Sequence, residues 1–142
     1  MKTDNRSQGN RFEQALAIIL GNNGFWVHLL QQNKAGQPAD IIAIKGHYHT
    51  LIDCKVISDE KGFPFKRIEE NQRYAMSSFT RKAHENCWFA MKLPDGAVHM
   101  ISLTHLLKLA EHGQKRMTES QIRAGWTLDD WLKNTNVWSE DS

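Results

Sequence analysis

The sequence predicts one α/β domain, in which helices flank a mixed β-sheet of about five strands. Apolar residues recur at helical spacing in three stretches, and five short apolar runs of strand length lie between them. The chain has 142 residues, 40% of them hydrophobic, which is enough for one core and does not require a second domain. We therefore expect residues 1–142 to form a single domain, with a mobile start at 1–9 and an acidic tail at 134–142.

The first helix is predicted to begin at Asn10 and to end near Gly21. Asn10 and Glu13 have the spacing of a capping box, in which each side chain accepts a hydrogen bond from the other residue's backbone N–H. The apolar stripe of this helix comprises Phe12, Leu16, Ile19 and Leu20. A first strand is expected over residues 25–30, followed by a polar connection over residues 31–37.

A β-hairpin is predicted next, because apolar runs at 41–44 and 51–56 are separated by a turn-like segment at 45–49. An aspartate accompanies each run: Asp40 precedes the first, and Asp53 lies within the second. Strands disfavour aspartate, so these two residues suggest a role other than folding.

Helices and strands continue to alternate in the second half of the chain. A second helix is predicted to begin at residues 63–65. Residues 87–91 and 97–101 predict another hairpin, and residues 103–110 predict a third helix. Two short helical segments are expected after the N-cap residues Thr118 and Thr127.

The two aspartates and a nearby lysine predict a metal site on the first hairpin. Side chains alternate across a strand, so Asp53 and Lys55 point to one face, about 6.5 Å apart, while the residues between and beside them point to the other. If the two runs pair, Asp40 joins them, and two carboxylates beside a lysine suit Mg²⁺ and hydrolytic chemistry. The alternative is a surface Asp–Lys pair on an exposed edge hairpin.

Two more polar residues are candidates for this site. Glu13 could reach from the first helix toward a metal, or could serve only to close the capping box. Gln72 interrupts the apolar face of the second helix, where it could contact the carboxylates or hydrogen-bond a buried backbone group. The residues themselves leave both alternatives open.

Positive charge is concentrated in one block after the hairpin. The net charge is only +2, but residues 61–82 contain six basic residues against two acidic ones. The six are Lys61, Lys66, Arg67, Arg73, Arg81 and Lys82. Those expected to contact phosphates of a nucleic acid are Lys61, Lys66, Arg67 and Arg73. The alternative is a solvated helix face.

Cysteine and histidine residues give a weaker pattern. Cys54 and Cys87 have apolar neighbours and are expected to be reduced core thiols. His47 and His49 could join Cys54 as zinc ligands, but a structural zinc site needs four, and His84 with Cys87 has no sequence link to them.

No apolar run approaches the roughly 20 residues that cross a membrane, and the first ten residues lack the apolar centre of a secretory signal. We therefore expect a cytoplasmic protein.

The order of these elements and polar residues resembles the PD-(D/E)xK nuclease superfamily. The signature is carried by Asp40, in a loosened Pro38-Ala39-Asp40, and by Asp53-x-Lys55 on the next strand. Within this superfamily the chain is most similar to RecU-type Holliday junction resolvases, from Glu13 to about Leu107. The similarity also includes residues 62–65, 68–72 and 87–89.

This resemblance implies a restriction-endonuclease-like core, Mg²⁺-dependent hydrolysis of DNA with Mn²⁺ as a substitute, and a homodimer. The metal ligands that it implies are Asp40, Asp53 and the backbone carbonyl of Cys54. Lys55 would orient or deprotonate the attacking water. Glu13 would be the acid from the helix and a further candidate ligand, and Gln72 would support the site.

A two-fold dimer would supply the two active sites that symmetric cutting of a junction requires. Its surface is expected around Trp126, Trp131 and Trp138, although a lid on the chain's own core, or stacking on bases, are alternatives for these residues. The interval from Trp26 to Asp40 is too short for the projecting stalk of RecU-type enzymes, so we expect only a modest preference for junctions.

Two other functions remain open. A DNA-binding module or inactive nuclease-fold subunit would share the basic block, but it would not require Asp40, Asp53 and Lys55 together. A general nuclease of the same superfamily would require them, but would not prefer junctions.

Overall fold

In the computed structural model, which describes residues 5–31, 37–58 and 60–140, helices alternate with short strands. The helices are α1 (Asn5–Asn22), α2 (Glu70–Ala83), α3 (Leu103–Glu111), α4 (Glu119–Arg123) and α5 (Leu128–Trp138). The strands are β1 (Trp26–Leu29), β2 (Ile41–Lys45), β3 (Tyr48–Val56), β4 (Phe63–Pro64), β5 (Trp88–Lys92), β6 (Val98–Ser102), β7 (Arg116–Met117) and β8 (Trp126–Thr127).

A six-stranded mixed sheet forms the centre of the protein, with the strand order β1-β2-β3-β5-β6-β8. The β3–β5 pair is parallel, and the other neighbouring strands in this sheet are antiparallel. Helix α2 makes the crossover that a parallel pair needs. Strands β4 and β7 form a separate antiparallel pair. The predicted class, a mixed sheet flanked by helices, is confirmed, with one more strand in the main sheet than expected.

The predicted hairpin consists of β2 and β3, joined by a turn at residues 46–47. Gly46 has a φ of +55°, and a Cβ at this position would lie 2.4 Å from the carbonyl oxygen of Ser139, so the close approach requires glycine. β3 lies between β2 and β5, inside the sheet. The alternative of an exposed edge hairpin is therefore wrong.

Both faces of the sheet are covered by helices. One core cluster joins α1 and α5 to the sheet; its members include Phe12, Leu16, Ile52, Cys54, Trp131 and Leu132. The second joins α2, α3 and α4 to the opposite face; its members include Leu51, Met76, Phe89, Leu103, Leu106 and Ile122. Alternation along β3 therefore holds as predicted, but the face that carries Asp53 is covered rather than open to solvent.

The first helix begins at Asn5, ahead of the predicted start at Asn10. Asn10 therefore lies inside the helix, and the predicted capping box with Glu13 does not form. A cap favours a helix start without imposing one, and the preceding polar residues are compatible with helix. Residues 5–9 of the predicted mobile start are thus helical, whereas 1–4 lie outside the described residues, as do 32–36 of the predicted polar connection.

The second helix begins at Glu70, later than the predicted start at 63–65. Phe63–Pro64 instead pairs with β7, and a 3₁₀ turn follows at Phe65–Arg67. This pairing joins segments far apart in the chain, which a local pattern does not reveal. At the other end, α5 continues to Trp138, so residues 134–138 are helical rather than part of an acidic tail, and 141–142 lie outside the described residues.

The C-terminal helices begin where the sequence predicts. Thr118 and Gln121 form a reciprocal capping box, and the Thr127 side chain accepts a hydrogen bond from the Asp130 N–H. Trp131 is fully buried and stacks on Phe25 at a centroid distance of 5.9 Å. The interpretation as a lid on the chain's own core is thus confirmed for Trp131, and its prediction as part of a dimer surface is wrong.

Cys54 and Cys87 are both free and buried, one in each core cluster. This confirms the prediction of reduced core thiols. Among the described helices, none is both long and apolar enough to cross a bilayer.

Candidate active site

Asp53 is the centre of the candidate site. It lies on β3, and only 3% of its surface is exposed. Its Oδ1 accepts a hydrogen bond of 2.7 Å from Gln72 Nε2, and its Oδ2 lies 3.0 Å from Lys55 Nζ. The carboxylate is therefore held from two sides, by an amide from α2 and by an ammonium from its own strand.

Asp40 is placed beside Asp53 by the pairing of β2 with β3. The Asp40 N–H donates to the carbonyl of Ile52 at 3.1 Å, so the backbone contact between the two segments continues past Ile41, one residue out of the regular register. Asp40 Oδ2 accepts a hydrogen bond of 2.8 Å from the backbone N–H of Cys54. The two aspartates, predicted to come from adjacent strands, therefore do meet.

Glu13 approaches the same cluster from α1. It is half-buried and shares a side-chain hydrogen bond with Asp40. Because Asn10 is not a helix cap, the structural alternative for Glu13 disappears, and the placement agrees with the site alternative. Gln72 likewise hydrogen-bonds a carboxylate, that of Asp53, rather than a buried backbone group.

Burial raises the pKa of each of the three carboxyl groups. For Asp53, burial raises the pKa to about 7; the Lys55 charge opposes this rise, and the Asp40 charge adds to it. The pKa of Asp40 is raised by burial, against the hydrogen bond from Cys54, with the Glu13 charge adding to the rise. The pKa of Glu13 is raised by burial, against its hydrogen bond with Asp40. Acidic groups crowded in this way would be stabilised in their charged form by a cation.

The donor set fits a hard divalent cation such as Mg²⁺. Asp53 Oδ2 is fully buried and lies at ion-pair distance, 3.0 Å, from the Lys55 ammonium. No three His, Cys, Asp or Glu side chains in the described ranges are arranged to enclose a metal by themselves. Mg²⁺ is often bound by one or two carboxylates and several waters, so Asp40 and Asp53 would suffice with water and substrate oxygens.

The geometry is less suited to zinc. Burial, followed by the nearby Asp40 charge, raises the pKa of the Cys54 thiol well above its ordinary value, which disfavours the thiolate that zinc binds. The ring of His49 packs edge-on against Phe79, at a centroid distance of 6.0 Å.

The four residues predicted to contact phosphates lie in three different places in the structure. Lys61 and Arg67 line a cleft together with Lys55, whose ammonium lies 3.0 Å from Asp53 Oδ2. Lys66 is exposed outside that lining. Arg73 lies in a different groove, between α2 and α3.

Arg116 also lines the cleft beside Lys55, although the sequence did not single it out. It lies far along the chain and is brought there by the pairing of β7 with β4. A basic residue in a short connecting segment carries no local signal of such a placement.

The mixed sheet covered by helices on both faces, with Asp40 just before β2 and with Asp53 and Lys55 on β3, has the restriction-endonuclease-like fold. A family model described as archaeal Holliday junction resolvase (Hjc) matches residues 4–138. The chain belongs to this family.

A solved structure shows the same fold. The 1.6 Å structure of Hjc from Archaeoglobus fulgidus, described as a Holliday junction resolvase from an archaeal hyperthermophile, aligns with a TM-score of 0.66 and 18% identity. The alignment covers 88% of this chain and 98% of that one. A comparison with curated proteins gives no match. The predicted membership of a Holliday junction resolvase family is thus confirmed, whereas the RecU-type likeness and the PD-(D/E)xK assignment stay predictions.

Proposed function

We propose that this protein is a divalent-metal-dependent endonuclease that hydrolyses phosphodiester bonds in branched DNA, in particular Holliday junctions. The observation that carries the proposal is the meeting of Asp40, Asp53 and Lys55, with Asp53 fixed by Gln72. Membership of the Hjc family supports the choice of substrate.

The proposed metal site uses Asp40, Asp53 and the backbone carbonyl of Cys54, with Glu13 as a further candidate. Mg²⁺ bound by these groups would lower the pKa of a coordinated water and stabilise charge on the scissile phosphate, and Mn²⁺ is expected to substitute for it. The Cys54 N–H donates to Asp40 Oδ2, so this residue orients one carboxylate, and its carbonyl would be a further oxygen ligand for the ion.

Lys55 is proposed to act on the attacking water. Its ammonium group lies 3.0 Å from Asp53 Oδ2 and lines the neighbouring cleft, so it spans the distance from the acids to an incoming phosphate. From this position it would donate a hydrogen bond that orients the water, or accept the water's proton in its neutral form. Gln72 acts indirectly, because its hydrogen bond to Oδ1 holds the Asp53 carboxylate in one orientation.

Two alternatives make different predictions. A non-catalytic DNA-binding subunit would bind DNA through the same cations, but would gain nothing from burying mutually repelling carboxyl groups. A general nuclease would need those groups and would cut linear duplex as readily as a junction. The buried carboxyl cluster favours an enzyme over the first alternative.

Cleavage assays test the proposal directly. The purified protein is incubated with a four-way junction, a flap, a linear duplex and single-stranded DNA, in Mg²⁺, Mn²⁺ or EDTA. We expect paired, symmetric cuts in the junction with either metal, a modest preference over flap and duplex, and no cutting in EDTA. Binding without cutting under all metal conditions would favour the non-catalytic alternative, and equal cutting of duplex and junction would favour the general nuclease.

A further inference from the structure

A cleft of about 430 Å³ opens beside the candidate active site. Of the described residues that line it, four carry a positive charge and none carries a negative charge. The four are Lys55, Lys61, Arg67 and Arg116, and we call their cleft the basic cleft. Lys55 belongs both to this cleft and to the carboxylate cluster, so an anion in the cleft would lie next to the reacting phosphate.

Arg116 is fixed to the wall of the cleft by tertiary structure. Its strand, β7, pairs with β4, which places Arg116 opposite Pro64. Its Nη1 donates a hydrogen bond of 3.0 Å to the carbonyl of Lys61. Gly62 has a φ of +83°, and a Cβ there would lie 2.1 Å from the carbonyl oxygen of Met117. Glycine therefore permits the loop and β7 to approach closely enough to hold Arg116 in place.

Arg67 is also held in position. Its Nη1 lies 3.3 Å from the carbonyl of Val56, to which it donates a hydrogen bond, and its guanidinium lies over the Phe63 ring, 5.4 Å from the centroid. A guanidinium has five N–H donors, so a single bond to a backbone carbonyl leaves others for a ligand. Positioned arginines lose less conformational entropy on binding an anion than mobile ones.

The positively charged side chains of the basic cleft favour a phosphate as its ligand. Guanidinium groups match the oxygens of a phosphate with two parallel hydrogen bonds, and no acidic side chain among the described lining residues opposes an anion. Because Lys55 lines the cleft and its ammonium lies 3.0 Å from Asp53 Oδ2, a phosphate bound in the cleft would lie close to one held at the carboxylates. We propose that the basic cleft binds the DNA backbone phosphate adjacent to the scissile one, with Arg116 and Arg67 as its ligands; this inference rests on the proposed nuclease function.

The test uses the full chain, a four-way junction and EDTA, so that binding is measured without cutting. Arg116→Gln removes the charge but retains an amide that can donate to the Lys61 carbonyl, and Arg116→Lys retains the charge. Arg123→Gln is the matched control, because Arg123 is exposed and paired with Asp95 and Glu119 outside the cleft. Melting temperatures establish that each variant is folded.

We expect Arg116→Gln to reduce the slope of log K against log salt by about 0.9, the contribution of one phosphate contact. Arg116→Lys and Arg123→Gln should keep the wild-type slope. In Mg²⁺, Arg116→Gln should raise KM for the junction roughly tenfold, as expected for the loss of a charge-assisted hydrogen bond, with a smaller change in kcat.

An Arg116→Gln variant that matches Arg123→Gln in both slope and KM overturns the phosphate site and leaves the nuclease proposal standing. Wild-type protein that neither binds nor cuts DNA overturns both. If Arg116→Gln does not fold, Arg67→Gln carries the same test, since it removes the other proposed ligand.

Discussion

Gln72 on α2 donates a buried hydrogen bond of 2.7 Å to Asp53 on β3, and so connects a helix to the acidic centre of the site. The other oxygen of the same carboxylate lies 3.0 Å from Lys55. Asp53 therefore has one oxygen fixed by a neutral donor and one beside a positive charge, and in the proposed metal site the second oxygen would exchange the Lys55 ammonium for a metal ion.

Removing a carboxylate of the proposed metal site should lower catalysis more than DNA binding. We expect Asp53→Asn, Asp40→Asn and Lys55→Ala each to lower the rate of junction cleavage in Mg²⁺ by at least about 100-fold, with affinity for the junction retained. Asp129→Asn, the same change at an exposed position in α5, is the control and should cleave normally. Full activity of Asp53→Asn would refute the site assignment.

Gln72→Leu should weaken both folding and cleavage. The substitution leaves Asp53 Oδ1 buried without its donor, which costs about 1–3 kcal/mol of unfolding free energy. Urea denaturation in EDTA measures this loss, and cleavage should slow because the Asp53 carboxylate is no longer fixed. Gln14→Leu, at an exposed position of α1, should change neither quantity. Equal stability of the two variants would mean that the hydrogen bond contributes nothing.

Without metal, the charge on Asp53 should oppose folding. The pKa of Asp53 is about 7 in the folded protein against an ordinary 3.8, so the folded state holds this proton more tightly than the unfolded state. Its contribution to stability therefore decreases as the pH rises from about 4 to about 7. In EDTA, the unfolding free energy of wild type relative to Asp53→Asn should fall between pH 5 and pH 8. Parallel pH profiles for the two proteins would contradict this.

The basic block should contact DNA at some positions and not others. Substituting Lys66, Arg67 and Arg73 together with alanine should flatten the salt dependence of DNA binding. Since Arg73 lies in a separate groove, we expect the Lys66/Arg67 double variant to account for the whole change, up to about 1.8 in slope at about 0.9 for each contact. Arg73→Ala alone should bind like wild type. An unchanged slope in the triple variant would mean that the basic block at residues 61–82 is an ordinary solvated surface.

We expect a homodimer, because symmetric cutting requires two active sites related by a two-fold axis. Light scattering should then give twice the chain mass of 16.4 kDa. Trp126 is 40% exposed at the β8 edge of the sheet, and Trp126→Ser should favour the monomer. Trp26→Ser is the control, because Trp26 is 59% exposed on β1, at the opposite edge of the sheet. A wild-type monomer at all concentrations would exclude the dimer.

The sequence alone was sufficient to predict those features of the structure that follow a local period. Alternation along a strand placed Asp53 and Lys55 on one face, and the turn-like segment between two apolar runs predicted the hairpin that brings in Asp40. The Thr118 and Thr127 caps were predictable for the same reason, since a cap is formed by residues three positions apart.

Only the tertiary structure decided the features that depend on contacts between distant segments. Glu13 has the spacing of a capping residue, but the helix extends past Asn10, and packing of α1 on the sheet brings Glu13 to Asp40. Arg116 reaches the basic cleft only through the β4–β7 pair. Such placements are set by the free energy of burying whole surfaces against one another, to which many residues contribute, and so no short stretch of sequence encodes them.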